Sequence, residues 1–285
     1  MNMEETMETS IDPSVTEKTK TYYDSEDANS FYGQIWGGED IHIGIYEKES
    51  DTIFDASRRT VIKMAELVPT LRRSSGVLDI GSGFGGSARF LATKYGCSVQ
   101  CLNLSETQNA ENRRLNLKSM VNDHIKVDTG NFEDLPYNDD SFDVVWCQDA
   151  ILHSSNRGRV LGEAYRVLRP KGTFIFTDPM QDKHSAQSCL QPVLDRIHLD
   201  SLSTVTGYQK MAASTGFKES MFLDLSGHLT THYRRVLAAL AHHESRMAKS
   251  CSEEYIARMK VGLQHWVNAG QSGDLRWGIF RFRKV

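Results

Sequence analysis

Within residues 77–86, VLDIGSGFGG, an apolar run carrying one acid, Asp79, breaks into four glycines within six residues. The apolar run reads as a buried strand. The glycines read as a tight turn through which the strand passes into a helix while its backbone presses on a ligand, because any Cβ there would take the ligand's space. The chemistry implied is the holding of a nucleoside-type cofactor. Taken alone, Gly81, Gly83 and Gly86 also fit the dinucleotide pattern G-x-G-x-x-G. A second concentration lies upstream, where residues 21–46 crowd Tyr22, Tyr23, Phe31, Tyr32, Trp36 and Tyr46 among acids and glycines without helical or strand regularity. Such a stretch is either a lid that closes on a ligand or a strap whose rings cover the edge of the core.

These residues need a scaffold, and the hydrophobic pattern supplies one. Apolar positions at helical spacing mark helices over 53–68, 87–95, 106–118, 157–168 and 208–215, and short β-rich runs mark strands at 77–80, 99–104, 125–128, 142–147 and 173–178. Repeated strand and helix units imply an α/β fold with a doubly wound, seven-stranded, mainly parallel sheet. A sixth strand over 217–225 and a last one over 275–283 pair antiparallel, and amphipathic helices over 228–249 and 252–269 need a partner surface. The expected organisation is a mobile tail over 1–20, then one domain over 21–285. That domain comprises an N-terminal lid (21–52), a core (53–180), an insertion and helical cap (181–274) and the last strand (275–285).

Composition narrows the partners. With 33 basic and 37 acidic residues, a net charge of -4, the chain has no basic excess for a nucleic-acid groove or an anionic membrane. A small molecule is the expected partner, and monomer and dimer both remain open. No run approaches the roughly 18 apolar residues of a membrane span. Five cysteines without a paired framework, and no apolar leader, suggest a reduced, cytoplasmic protein. Cys97 and Cys101 flank Val99, as a metal pair or as buried thiols; the absence of a further Cys/His group to complete a site favours the second.

Four further features stand beside the glycine turn: Asp79 two positions before Gly81, the Asn131-Phe132 pair after strand three, the LRPKG segment at 168–172, and the terminal two-strand arrangement. Together they resemble the class I S-adenosylmethionine-dependent methyltransferases. The segments WGGEDIHIGIY (36–46), QDAILHS (148–154), FTDPMQ (176–181) and LQPVLDRIHLDS (190–201) are in turn similar to the sarcosine/dimethylglycine N-methyltransferases.

That resemblance implies S-adenosylmethionine as cofactor and a Rossmann-like core. Gly81 and Gly83 would admit the methionine and ribose portions, with Asp79 holding the turn and steering the ammonium end. An acid normally takes the ribose hydroxyls at the end of strand two; Asn103 stands there, and with Gln108 it can share them through neutral hydrogen bonds. A dinucleotide enzyme would want the acid. Asn131 would accept from the adenine amino group, Phe132 would lie against the ring, and Gln148 would offer its backbone or side chain to the methionine amino group.

The implied reaction, displacement at a sulfonium methyl by an amine nitrogen, needs alignment and an unprotonated amine. His153 is the candidate that accepts or favours loss of the proton, with Asp178 and Tyr22 positioning the amine. His42 is a candidate for the methionine carboxylate or the substrate. Arg196 or His198 would clamp the substrate carboxylate, and Trp36, Tyr22 and Tyr32 would face the quaternary product. A phosphobase N-methyltransferase, a lipid or sterol C-methyltransferase and a non-catalytic cofactor-binding protein are the rival readings. The missing Asn/Asp-Pro-Pro-aromatic signature counts against a nucleic-acid base enzyme.

Overall fold

A computed structural model describes residues 13–197 and 199–285. The chain opens with α1 (Pro13–Asp24), α2 (Glu26–Phe31) and a π-helical turn (Tyr32–Trp36). An extended strap then leads to α3 (Ile53–Glu66), whose first turn is capped by Thr52, its side chain accepting from Asp55 N. The core alternates β1 (Gly76–Ile80), α4 (Gly86–Tyr95), β2 (Ser98–Asn103), α5 (Glu106–Lys118), β3 (Ile125–Thr129), β4 (Phe142–Gln148), α6 (Arg157–Val167) and β5 (Leu168–Gln181). Next come α7 (Gln187–Ile197), α8 (Val205–Thr215), β6 (Glu219–Asp224), α9 (Ser226–His242), α10 (Glu244–Met247), α11 (Glu253–Gln271) and β7 (Leu275–Arg283).

The sheet order is β3-β2-β1-β4-β5-β7-β6. Strands β1 to β5 run parallel, and β7 lies antiparallel between β5 and β6. Because successive residues face opposite sides of a strand, Val77 and Val144 join the core under α3 and α4, while Leu78 and Val145 join the core under α6 and α8. A third apolar cluster packs the N-terminal helices against α7, α9 and α11. The strand order turns back between β1 and β4, so the loops leaving their carboxyl ends diverge and open a crevice.

Four sequence expectations change. The proposed tail over 1–20 lies in part outside the described residues, but its end is already helix α1. The segment over 21–46 is more regular than expected, since α2 and the π-helical turn occupy its centre. The LRPKG segment is a bulge within a longer β5: Phe142 pairs with Leu168 and Val144 with Thr173, so residues 169–172 loop out opposite Asp143. The helix expected over 228–249 breaks into α9 and α10. Cys97 and Cys101 are buried thiols of the apolar core around Val99.

Candidate active site

At the glycine turn, Gly81, Gly83 and Gly85 have φ of 74°, 51° and 76°, a left-handed backbone that side chains resist. The reason for glycine differs from the expected one. A Cβ on Gly81 would lie 2.5 Å from Ala150 Cβ, and one on Gly83 would lie 3.0 Å from Ile41 Cδ1, so protein atoms already fill the space a ligand was expected to claim. Gly81 and Gly83 nonetheless line a cavity at the carboxyl ends of β1, β2 and β4.

The far wall of this cavity comes from β2 and β3. Asn103, at the end of β2, donates from Nδ2 to Gln108 Oε1 at 3.0 Å, which leaves Asn103 Oδ1 as an acceptor and Gln108 Nε2 as a donor toward a vicinal diol. Asn131 Oδ1 already accepts from Glu133 N at 2.9 Å, so only its second lone pair and its Nδ2 remain for an adenine edge. Phe132 is buried in the cavity wall. Ser105 caps α5 and donates to Asp24 Oδ1 at 2.6 Å, fastening α1 over the cavity, where Lys20 also lines the wall.

Gln148 closes the β4 side. Trp146 Nε1 can only donate, and it donates to Gln148 Oε1 at 2.9 Å; Ser87 Oγ binds the same oxygen. The amide is thereby oriented, and its Nε2 is a buried donor without a partner. Such a donor costs about 1–3 kcal/mol until it meets an acceptor. The side chain therefore suits a carboxylate and not the amino group expected from sequence. Asp79 lies beneath the turn, off the wall of either cavity, where burial raises its carboxyl to about 7 against the pull of nearby His42.

A second cavity adjoins the first. Tyr23, Ile41, Asp149 and His153 line both, so they form the seam. Tyr22, Tyr32, Trp36, His42, Tyr233, Trp266 and Arg196 line only the second cavity. Trp36 Nε1, Trp266 Nε1 and Arg196 Nε are buried donors that lack hydrogen-bond partners. Arg196 makes no ion pair among the described residues; its hydrogen bond among them runs from Nη2 to Met259 Sδ, at 3.7 Å. A pocket with excess donors and an unpaired guanidinium is built for an anionic group.

His153 sits on a 3-10 turn (Ile151–His153) held from three sides. Asp178 Oδ1 accepts Leu152 N at 3.0 Å, and Arg157 Nη2 donates to Leu152 O at 3.0 Å. Buried Glu133 accepts Ser154 Oγ at 2.6 Å and Asn156 N at 3.1 Å. The other Asp178 oxygen accepts Tyr208 Oη at 2.5 Å, and burial raises this carboxyl to about 8. Asp178 thus lines neither cavity: it fixes the turn and does not touch an amine there, a correction of the role read from sequence.

Burial, reinforced by Arg157 and Arg196, lowers the His153 imidazole to about 4. Tyr23 Oη lies 3.1 Å from its Nε2, and burial raises the Tyr23 hydroxyl, so the two form a neutral hydrogen-bonded pair near pH 7.

Residues 37–46 are a fastened strap. Asp149 Oδ2 accepts Ile43 N at 2.7 Å, Thr60 Oγ1 donates to Ile43 O at 2.8 Å, and His232 Nδ1 accepts Gly44 N at 3.1 Å. Asp149 also accepts Trp277 Nε1 at 2.8 Å, with a left-handed φ of 49°. Asp149, Glu133 and His232 were missed from sequence. The left-handed backbone of Asp149 has no sequence signature, and the partners of all three lie far along the chain. His198, the alternative carboxylate clamp, lies outside the described residues.

Residues 78–176 match the family model described as a methyltransferase domain. A sarcosine/dimethylglycine N-methyltransferase of Halorhodospira halochloris is 51% identical over 98% of this chain and 100% of its own length. One from Aphanothece halophytica is 47% identical over 95% of this chain and 98% of its own. A solved structure from Galdieria sulphuraria, assigned as a sarcosine dimethylglycine methyltransferase, aligns with a TM-score of 0.86 and 40% identity, covering 92% of this chain and 98% of that one.

Proposed function

The chain belongs to the sarcosine/dimethylglycine N-methyltransferases, S-adenosylmethionine-dependent enzymes, and on that premise we propose that it methylates the nitrogen of sarcosine and dimethylglycine to give dimethylglycine and glycine betaine. The supporting observation is the second cavity, where an arginine without an ion partner among the described residues shares the wall with Tyr22, Tyr32, Trp36, Tyr233 and Trp266. When bound, the cofactor supplies an electrophilic sulfonium methyl. The first cavity suits it: Asn103 and Gln108 hold the ribose diol, Asn131 and Phe132 the adenine, and the unpartnered Gln148 Nε2 the methionine carboxylate.

In the second cavity Arg196 clamps the acceptor carboxylate, which fixes one end of a short amino acid and directs its nitrogen toward the seam. Tyr22, Tyr32 and Trp36 surround the nitrogen and its methyl groups, a contact worth roughly 0.5–2 kcal/mol for a cationic product. His42, beside Asp40 and on the strap, bounds the same space and contributes to acceptor binding.

The proton requires a different role for His153 from the one read in sequence. An acceptor amine resembles lysine, with a pKa of ~10.4, and an imidazole at about 4 cannot hold its proton. The proton leaves to solvent before transfer, and neutral His153, held against the Tyr23 hydroxyl, bounds the seam and leaves the amine lone pair free to face the methyl. Desolvation in the cavity and the nearby positive charge of Arg196 disfavour the ammonium and so favour the neutral amine.

A phosphobase would need several cations on one phosphate, and Arg196 is the single Lys or Arg on the wall of this cavity among the described residues. On this reading the protein works in betaine biosynthesis and osmoprotection in the cytoplasm, in keeping with five unpaired cysteines. The test is methyl transfer from labelled S-adenosylmethionine to a panel of acceptors. Sarcosine and dimethylglycine are expected to be labelled and phosphoethanolamine and DNA are not; cofactor binding without transfer to either amino acid overturns the proposal.

A further inference from the structure

We infer that Gly262, on α11, is a positioning residue that sets the reach of Arg196 and so the preference for a carboxylate-bearing acceptor. This deepens the proposed function and rests on Arg196 as the carboxylate clamp. Gly262 lies in the interior of α11 (Glu253–Gln271), where glycine is a poor choice for the helix and needs a local reason.

The reason is space for one side chain. A Cβ at 262 would stand 2.1 Å from Arg196 Cδ, 2.7 Å from its Nε and 3.0 Å from its Cγ, and these three atoms are its nearest neighbours. The arginine stem therefore lies in a notch on α11 that the missing Cβ creates. Met259, one turn earlier on the same helix, meets the guanidinium through its sulfur at 3.7 Å. Trp266, one turn later, lines the same cavity as Arg196. One face of α11 thus forms a seat for the arginine.

Arg196 forms no ion pair among the described residues, so this seat, and not a carboxylate, holds it in place. A methyl group at 262 leaves the backbone free of collision and displaces the guanidinium. Gly162 offers a control. It too is inside a helix, but a Cβ there would meet nothing within 4 Å.

The experiment compares full-length Gly262→Ala, Gly162→Ala, Arg196→Met and the Gly262→Ala/Arg196→Met double variant. The readouts are KM and kcat for dimethylglycine, inhibition by glycine betaine, affinity for S-adenosylhomocysteine and Tm. Gly262→Ala is expected to raise KM and the betaine inhibition constant together by about tenfold, the size of one charge-assisted hydrogen bond. Its kcat stays within about twofold, the pattern of lost uniform binding. Homocysteine-ligand affinity holds, Tm does not fall, and the change adds nothing in the Arg196→Met background. Gly162→Ala is expected to behave as wild type. An unchanged KM in Gly262→Ala beside a raised KM in Arg196→Met overturns the positioning role alone. Additive effects in the double variant overturn it too. An unchanged KM in Arg196→Met overturns the clamp of the proposed function.

Discussion

Tyr23→Phe removes one oxygen from the seam and leaves the ring. The lost hydroxyl lies 3.1 Å from His153 Nε2, and the two rings meet edge-on with centroids 5.7 Å apart, so the phenylalanine keeps the packing. The imidazole, at about 4, is neutral and loses its hydrogen-bond partner. For a part-buried nitrogen left unpaired, the lower half of the usual range applies, about 1–2 kcal/mol. If the hydrogen bond is in place at the transition state, that is roughly 5–30-fold in kcat/KM. The assay is initial-rate transfer to dimethylglycine at pH 8, with S-adenosylhomocysteine affinity and Tm measured alongside. Turnover should fall while both of those hold, and His153→Ala should leave little further loss for Tyr23→Phe to add. A Tyr23→Phe enzyme with full kcat/KM, or with losses that add fully to those of His153→Ala, would refute the pairing as a device that shapes the seam around the amine.

Other consequences are as direct. With His153 at about 4, kcat/KM should show no inflection near pH 6.5 and should rise close to tenfold per pH unit from about pH 7 to 9, following the free amine; a plateau from pH 7 contradicts deprotonation by solvent. Gln148→Glu keeps an oxygen for Trp146 and Ser87 but puts a carboxylate oxygen where the donor was, so calorimetry should show cofactor affinity weakened by roughly 10-fold or more. Asp178, raised by burial to about 8, favours the folded state while protonated, and that contribution is lost as pH rises from about 4 through 8. Asp178→Asn should therefore gain Tm relative to wild type across that window. It should also keep kcat within about threefold, since it faces neither cavity; a far larger loss would return Asp178 to the reacting atoms.

The sheet and the place of the glycine-turn cavity were legible because their signals are local. A strand, a glycine turn and a helix follow one another at 77–95, and the Asn103 and Gln108 pairing lies within one strand end and the next helix turn. The acceptor half was legible only as residue types. Arg196 and Trp36 were identifiable, but the glycine that seats the arginine is 66 positions away on another helix. Asp178 shows the converse error: an acid at a strand end looks catalytic, and only its bonds to Leu152 and Tyr208 reveal a brace. The strap at 37–46 could not be told from a moving lid, because the difference lies in backbone bonds to Asp149, Thr60 and His232.

The most direct measurement is a crystal structure with S-adenosylhomocysteine and dimethylglycine bound together. The nitrogen should lie at the seam of Tyr23, Ile41, Asp149 and His153, facing the sulfur, with the carboxylate on Arg196 among Trp36 and Trp266. Dimethylglycine held with its carboxylate away from Arg196, or with its nitrogen outside that seam, would contradict the assignment of the two cavities.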